Sequence, residues 1–243
     1  VEAASRLFGS SSSSSVVASD ANATRLALAL CRMRGAALKL GQMLSIQDES
    51  LLPPALSKAL TQVRQGADAM PSYQLNQQLE REWGMDWASK LSNMEETPFA
   101  AASIGQVHRA TTLDQRSVVV KVQYPGVANS IESDLRNLSM LVKLSGLAPK
   151  GLFIDEVIRV GREELKEECN YLQEAKNQLK FKELVENDEV LQQNKFRVPG
   201  VAEELSTAQI LVTDYAPGGT IDKVAQYGSQ EERNRIGRQM LRL

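Results

Sequence analysis

The stretch from Phe99 to Gly126, FAAASIGQVHRATTLDQRSVVVKVQYPG, constrains the fold of this chain most strongly. The glycine-loop pattern G-x-G-x-x-G-x-V matches at Gly105 and Val107, while Ala100 and Ala102 occupy the first two glycine positions. Alanine carries a Cβ, which disfavours positive φ and keeps a loop from folding closely over a ligand. We therefore expect a phosphate-binding loop in an atypical form.

A run of three valines ends in Lys121, fourteen residues after Val107, and resembles the V-A-I-K strand of protein kinases. Loop, strand and lysine in this order form a nucleotide cradle, because backbone N–H groups face the phosphates while the ammonium pairs with their oxygens. The alternative is a surface lysine whose ammonium lies in solvent. We expect Val118 to Val120 to be buried on both faces, which favours a Lys121 with a carboxylate partner. The arrangement predicts an atypical kinase-like N-lobe.

Composition excludes several classes of protein. The 243 residues carry a formal net charge of −2, so charge offers no case for nucleic-acid binding. Cys31 and Cys169 match no metal or redox spacing, which favours two intracellular thiols over a disulfide. No apolar run approaches the ~20 residues of a membrane span. The chain begins at Val1, so we expect a fragment or a processed product, and a missing targeting signal indicates nothing about destination.

Sequence patterns divide the chain into four parts. Residues 1–19 include six consecutive serines and predict a flexible tail. We expect a helical extension over 20–97, a kinase-like N-lobe over 98–216, and a hinge exit with the start of a C-lobe over 217–243.

Hydrophobic periodicity and turn residues predict the elements within these parts. The first predicted helix begins at Asp20 or Asn22, the second covers 55–65, the third runs from Ser72 to Glu82, and a short one lies near Trp87. Two longer helices are predicted from Ile131 to Leu144 and from Asp155 to about Val185. A last helix begins in the final fifteen residues. Predicted strands cover 99–103, 105–112, 117–123, 198–201 and 210–214. A small antiparallel sheet between groups of helices is an α+β arrangement.

The predicted acidic helix from Asp155 should supply the partner of Lys121. Glu163, Glu167, Asn170 and Glu174 are spaced by four, three and four residues, which would place them on one helix face. A solvated acidic face explains most such glutamates. Like charges on one stripe repel, however, and contact with cations would relieve that repulsion.

Two further segments carry weaker signals. The sequence ILVTDYAPGGTID is typical of a kinase hinge, in which the Asp214 carbonyl and the Ala216 N–H would hold adenine. The alternative is an ordinary strand and turn, which would have the same sequence pattern. In the first predicted helix Lys39 and Gln42 lie one turn apart, with Gly41 between them. A glycine inside a helix costs about 1 kcal/mol relative to alanine, so it indicates close packing or a function.

Together these motifs resemble the UbiB, or aarF-type, atypical kinases required for ubiquinone biosynthesis, in their mitochondrial and alphaproteobacterial branch. The resemblance covers about residue 20 to Leu243 and rests on four ordered motifs: K-L-G-Q at 39–42, the alanine loop with Ser103, K-V-Q-Y-P-G from Lys121, and E-C-N at 168–170. It implies that Lys39, Gly41 and Gln42 belong to a lid over the active site.

The resemblance also assigns the nucleotide site. It implies that Ala100, Ala101, Ala102 and Ser103 form the phosphate loop. Lys121 would be the nucleotide lysine with Glu174 as its partner, and Glu168 would open the E-x-D motif. ATP or ADP with Mg²⁺ is the implied cofactor.

The chain departs from the family pattern in two places. Asn170 replaces the aspartate of E-x-D, which removes a charge. No catalytic-loop Asp and Asn follow the final helix and no D-F-G occurs, so we expect the C-lobe to be absent or only begun and the metal ligands to lie there. The only histidine, His108, lies in the second predicted strand and cannot supply a catalytic loop.

Three functions are compatible with these signals. The first is the N-terminal portion of an atypical kinase or ATPase that supports ubiquinone synthesis, with this stretch alone inactive. The second is a non-catalytic, pseudokinase-like module that binds nucleotide or partners, and the third is a helical interaction protein. For a eukaryotic source the family implies the matrix side of the mitochondrial inner membrane, with plastids or a bacterial cytoplasm as alternatives. Implied partners are other coenzyme Q biosynthesis proteins and a membrane surface or lipid.

Overall fold

The computed structural model describes residues 69–145 and 153–243, which form seven α-helices and a small antiparallel sheet. The α-helices are α1 (Ser72–Trp83), α2 (Val127–Ser145), α3 (Ile154–Glu168), α4 (Tyr171–Glu186), α5 (Glu189–Gln193), α6 (Ile221–Tyr227) and α7 (Gln230–Met240). The strands are β1 (Leu91–Met94), β2 (Ala100–Ala101), β3 (Gly105–Thr112), β4 (Ser117–Gln123) and β5 (Ile210–Asp214). Short 3₁₀ helices cover Trp87–Lys90 and Glu203–Leu205.

The sheet has the strand order β1-β3-β4-β5, and β2 pairs with β3. β4 and β5 are antiparallel, with Val118 opposite Asp214 and Val122 opposite Ile210. β4 therefore has a strand on each side, which suits its three consecutive β-branched valines.

The described residues fall into two compact units that alternate along the chain. The helix-pair unit contains residues 69–70, Ala101–Gly105 and the described residues of Tyr124–Cys169. The sheet unit contains Pro71–Ala100, Gln106–Gln123 and Asn170–Leu243.

The helix-pair unit is built on contact between α2 and α3. Apolar side chains on one face of each helix are buried, including Ile131 and Leu135 of α2 and Leu165 of α3. At the surface, Glu132 accepts ion pairs from Arg162 at 3.0 Å and Lys166 at 2.9 Å. The hydrophobic face supplies most of the stability, because exposed ion pairs contribute little.

In the sheet unit, α1 packs against β4 and buries Leu75, Leu79 and Trp83. Polar contacts fix this helix: the Trp83 Nε1–H donates to the Leu205 carbonyl at 2.8 Å, and the buried Gln78 amide donates to the Gln209 side chain. The three apolar residues follow the i, i+4, i+8 spacing of one helix face.

The α+β fold class predicted from the sequence is confirmed, and strands 105–112, 117–123 and 210–214 have their predicted bounds. The predicted helices from Ser72, near Trp87 and from Ile131 are also present. The helices predicted before residue 69 and the loop predicted over 147–152 lie outside the described residues, and the four-part domain division stays a prediction. Within the described residues, no helix is both long and apolar enough to span a membrane.

Two strand predictions were wrong, and two elements were not predicted. The strand expected over 99–103 shortens to β2, and 198–201 contributes only a single bridge from Val201 to Thr213. β1 was not predicted, because its segment LSNM has no run of β-branched residues. The helix predicted in the last fifteen residues is confirmed as α7, whose N-cap Ser229 forms a capping box with Glu232, whereas α6 before it was not predicted.

Candidate functional site

β4 presents Lys121 on the more open face of the sheet. Val118, Val120 and Val122 are fully buried on the opposite face, while Val119 and Lys121 are half-buried. The expectation that Val118 to Val120 would be buried on both faces was wrong, because successive side chains of a strand point to opposite faces and only one face is fully covered. The strand therefore leaves the Lys121 side chain partly exposed, at 24%.

Lys121 forms an ion pair with Glu174. Its Nζ lies 2.8 Å from Oε2 and 3.1 Å from Oε1 of Glu174, and the two side chains are 24% and 29% exposed. Glu174 lies in the first turn of α4. The pairing expected for these two residues is present in the structure, and its role in nucleotide binding stays a prediction.

The acidic helix that was expected to continue to Val185 is two helices. α3 ends at Glu168 and α4 begins at Tyr171, so no single helix face carries both Glu163 and Glu174, and that expectation was wrong. The Asn170 side chain accepts a hydrogen bond from the Gln173 N–H at 3.3 Å and caps α4. The predicted start of α3 at Asp155 was also wrong, because Phe153 is the N-cap of α3 and Asp155 lies in its first turn.

In the helix-pair unit the alanine loop contacts Glu168. Ser103 Oγ donates to Glu168 Oε2 at 3.2 Å, and the Ala102 N–H donates to the Gly105 carbonyl at 2.8 Å. Ala101 is exposed, whereas Ile104 is buried. The Ala102 N–H is therefore hydrogen-bonded within the loop itself. The Ser103 hydroxyl is hydrogen-bonded to the Glu168 carboxylate.

In the sheet unit the beginning of the same loop is tied to β3. The Phe99 N–H donates to the Val107 carbonyl at 2.7 Å, Ala100 is exposed and Val107 is half-buried. This bond aligns the segment before the loop with the strand after it. The accessible Val107 side chain is suited to contact a flat, apolar ligand surface.

The predicted hinge follows β5 and is fixed by both the backbone and a side chain. The Asp214 N–H donates to the Gly200 carbonyl at 2.9 Å, and the Gly200 N–H donates to Asp214 Oδ2 at 3.0 Å. The Tyr215 N–H donates to the Ser117 carbonyl at 3.0 Å, and Ala216 is exposed. Adenine contacts by the Asp214 carbonyl and the Ala216 N–H stay predictions.

Sequence reasoning missed an aromatic cluster next to these segments. The Arg109 guanidinium lies 4.7 Å from the ring centroid of Phe99 and 5.0 Å from that of Tyr215, and the two rings meet edge to face at 6.2 Å. Phe99 directly precedes the alanine loop, and Tyr215 lies between the two predicted hinge contacts. No local spacing in the sequence indicates this cluster, because its members are far apart along the chain.

His108 is a buried structural residue of β3. Its Nδ1 lies 2.8 Å from the Glu95 carbonyl oxygen and its Nε2 lies 2.8 Å from the Gln106 side-chain nitrogen. Burial lowers the pKa of His108, because the charged imidazolium loses solvation. A neutral ring that donates from Nδ1 and accepts at Nε2 satisfies both contacts.

Lys39, Gly41 and Gln42 of the predicted lid lie outside the described residues. Within residues 69–145 and 153–243, no group of three or more His, Cys, Asp or Glu side chains is arranged to hold a metal ion.

Comparison with known proteins shows the family of this chain. The ABC1 atypical kinase-like domain matches residues 62–243. The chain belongs to this ABC1 family. The resemblance to UbiB-type atypical kinases that the motifs indicated is thereby confirmed.

Several relatives of this ABC1 chain are named as atypical kinases. It is 48% identical over 230 residues to the atypical kinase COQ8B, mitochondrial, of Rattus norvegicus, covering 95% of this chain and 42% of that protein. It is 44% identical over 229 residues to the atypical kinase COQ8, mitochondrial, of Saccharomyces cerevisiae, covering 94% and 44%. The chain thus spans less than half the length of these relatives, whose names agree with the predicted kinase class and mitochondrial location.

The chain is also similar in fold to a solved structure. The complex of Rv3197 with erythromycin from Mycobacterium tuberculosis aligns with a TM-score of 0.56 and 28% identity, covering 92% of this chain and 55% of that chain. This similarity agrees with an α+β, kinase-like domain.

Proposed function

We propose that this chain forms the nucleotide-binding portion of an atypical kinase or ATPase that supports ubiquinone biosynthesis in mitochondria. The observation that carries the proposal is the ion pair between Lys121 and Glu174 on the accessible face of the sheet, in a chain of the ABC1 family. In kinase-like proteins a strand lysine held by a helix glutamate pairs with nucleotide phosphates.

The groups available in the sheet unit fit a nucleotide. Lys121 supplies a cation for phosphate oxygens, and Val107 and Val119 supply half-buried apolar side chains for a base. The hinge at Asp214 and Ala216 supplies main-chain polar groups at the end of β5. Bound ATP with Mg²⁺ would supply the transferable phosphoryl group, and the residues of this chain would bind and orient it.

The remaining assignments belong to the same proposal. The alanine loop from Ala100 to Ser103 would contact phosphates, with Gly105 after it. Glu168 would act in the E-x-D motif, and Lys39, Gly41 and Gln42 would form the lid. Other coenzyme Q biosynthesis proteins and a membrane surface or lipid are the proposed partners.

Thermal unfolding with and without nucleotide tests the binding role. Mg-ADP or Mg-ATP should raise the melting temperature, because a ligand that binds only the native state stabilises it by mass action. Lys121→Ala should reduce this shift, and Lys176→Ala, which removes an exposed lysine of α4, should not. An equal shift in Lys121→Ala and the unmutated protein would remove Lys121 from the site.

A chimaera tests the metabolic role. This chain would replace the matching segment of the Saccharomyces cerevisiae relative, and ubiquinone would be measured in cells that depend on the chimaera. We expect cells with the unmutated chimaera to make ubiquinone and cells with the Lys121→Ala chimaera not to make it. Equal ubiquinone content from both forms would contradict a role for this nucleotide site in the pathway.

A further inference from the structure

A buried aromatic ring lies against the ammonium of Lys121. Lys121 Nζ is 4.4 Å from the centroid of the Tyr171 ring, and Tyr171 has no exposed surface. The same Nζ contacts Glu174 at 2.8 Å. Lys121 is therefore held by two groups of different kinds, a carboxylate and the face of a ring.

The start of α4 places both groups. Asn170 caps the helix, Tyr171 is its first residue, and the Tyr171 N–H donates to the Ala208 carbonyl at 3.1 Å. Glu174 follows three residues later and so lies on the same side of the helix as Tyr171. The backbone bond to Ala208 anchors this turn just ahead of β5, whose Leu211 pairs with Lys121.

The two contacts act differently on a lysine that must also meet phosphates. A carboxylate attracts the ammonium but repels an anionic ligand. A ring face attracts the ammonium through its quadrupole and adds no negative charge. A lysine side chain is long and flexible, so a second contact restricts it before the ligand arrives and lowers the entropy lost on binding.

We propose that Tyr171 is a positioning residue for Lys121, whose ring face holds the ammonium ready for the phosphate oxygens of a nucleoside di- or triphosphate. This inference rests on the proposed nucleotide role of Lys121. The ring and not the hydroxyl performs this role, so phenylalanine should replace tyrosine and leucine should not.

Nuclear magnetic resonance of ¹³C-labelled lysine tests the ring contact without any nucleotide. The ε-methylene protons of Lys121, assigned by the loss of their signal in Lys121→Met, should resonate upfield of other lysines because of the ring current of Tyr171. Tyr171→Phe should keep this shift and Tyr171→Leu should abolish it. An ordinary position of the Lys121 signal in the unmutated protein would overturn the proposal, whether or not any Tyr171 variant folds.

Calorimetric titration with Mg-ADP tests the functional consequence. We expect Tyr171→Leu to weaken binding about fivefold to thirtyfold and Tyr171→Phe to change it less than about twofold. In a Lys121→Ala background, Tyr171→Leu should have little further effect, because its action passes through the lysine. An equal loss in both backgrounds would show a general structural role and would overturn the proposal.

These outcomes separate the two proposals. Equal Mg-ADP binding by the unmutated protein and Lys121→Ala would contradict the proposed function, and with it the nucleotide role of Tyr171. Weaker binding by Lys121→Ala with unchanged binding by Tyr171→Leu would contradict the positioning role alone.

Discussion

At the scale of single residues, the burial of His108 makes stability depend on pH near neutrality. Its neutral ring is buried and both nitrogens have partners, so protonation in the folded state is unfavourable. An unfolded histidine has a pKa of about 6.5, so the unfolded state binds more protons than the folded state below that pH. The chain has one histidine, which makes its contribution separable.

We predict that stability falls as the pH decreases from about 7 to 5, with a slope of at most ~1.4 kcal/mol per pH unit from this residue. The carboxyls whose pKa is lowered by ion pairs or hydrogen bonds, including Glu132 and Glu156, lose their contributions only at lower pH. Urea unfolding between pH 5 and 8 measures the slope. His108→Gln should flatten it, and identical slopes in the two proteins would contradict the assignment.

Gly200 permits the close approach that holds the hinge. A Cβ at this position would lie 2.5 Å from Asp214 Oδ2, the atom that accepts the Gly200 N–H. The Asp214 carboxylate would have to move, and the hydrogen bond would be lost.

We therefore predict that Gly200→Ala lowers the free energy of unfolding by about 1–2 kcal/mol. Gly237→Ala is the matched control, because a Cβ in this part of α7 meets no atom within 4 Å and alanine favours helix by up to ~1 kcal/mol. Thermal unfolding of both variants measures the difference. A Gly200→Ala protein as stable as the Gly237→Ala protein would show that the hinge does not need this contact.

At the scale of elements, the break between α3 and α4 determines what the acidic segment can do. Because α4 begins anew at Tyr171, Tyr171 and Glu174 share its first turn beside Lys121. The sequence contained the signal: Asn170, a favoured N-cap residue, is followed three residues later by Gln173, as in a capping box. The charge periodicity across 163–174 is also compatible with one uninterrupted helix, so the capping signal at Asn170 was not recognised.

The cap itself is testable. Asn170→Ala should lower the free energy of unfolding by about 1 kcal/mol, whereas Asn170→Asp should be neutral or stabilising, because aspartate caps equally well and its charge favours a helix N-terminus. Hydrogen exchange at the Gln173 amide gives a local measure, with faster exchange in the alanine variant only. Equal exchange in all three proteins would contradict capping by residue 170.

Strands were more predictable than the contacts between distant segments. β3, β4 and β5 are marked by β-branched residues and bounded by turn residues, so their limits follow from the chain. The pair of Lys121 with Glu174 was expected only through family resemblance. Neither propensity nor periodicity indicates which residues meet across a sheet, which is why Tyr171 and the cluster of Phe99, Arg109 and Tyr215 were missed.

At the scale of the whole molecule, family membership and geometry support each other. The ABC1 match covers both Lys121 and the helix that holds it, and the described sheet places its accessible face beside the predicted hinge. The central claim is that this face binds a nucleotide through Lys121. A non-catalytic module would share this binding and would differ only in turnover.

Backbone amide shifts during titration with Mg-ADP test the claim most directly, because they report the location of the ligand residue by residue. We expect the largest changes in β3 near Val107, in β4 from Val119 to Lys121, and at the hinge from Asp214 to Ala216, with all of them reduced in Lys121→Ala. Saturable changes confined to other segments, or a full response in Lys121→Ala, would contradict the account.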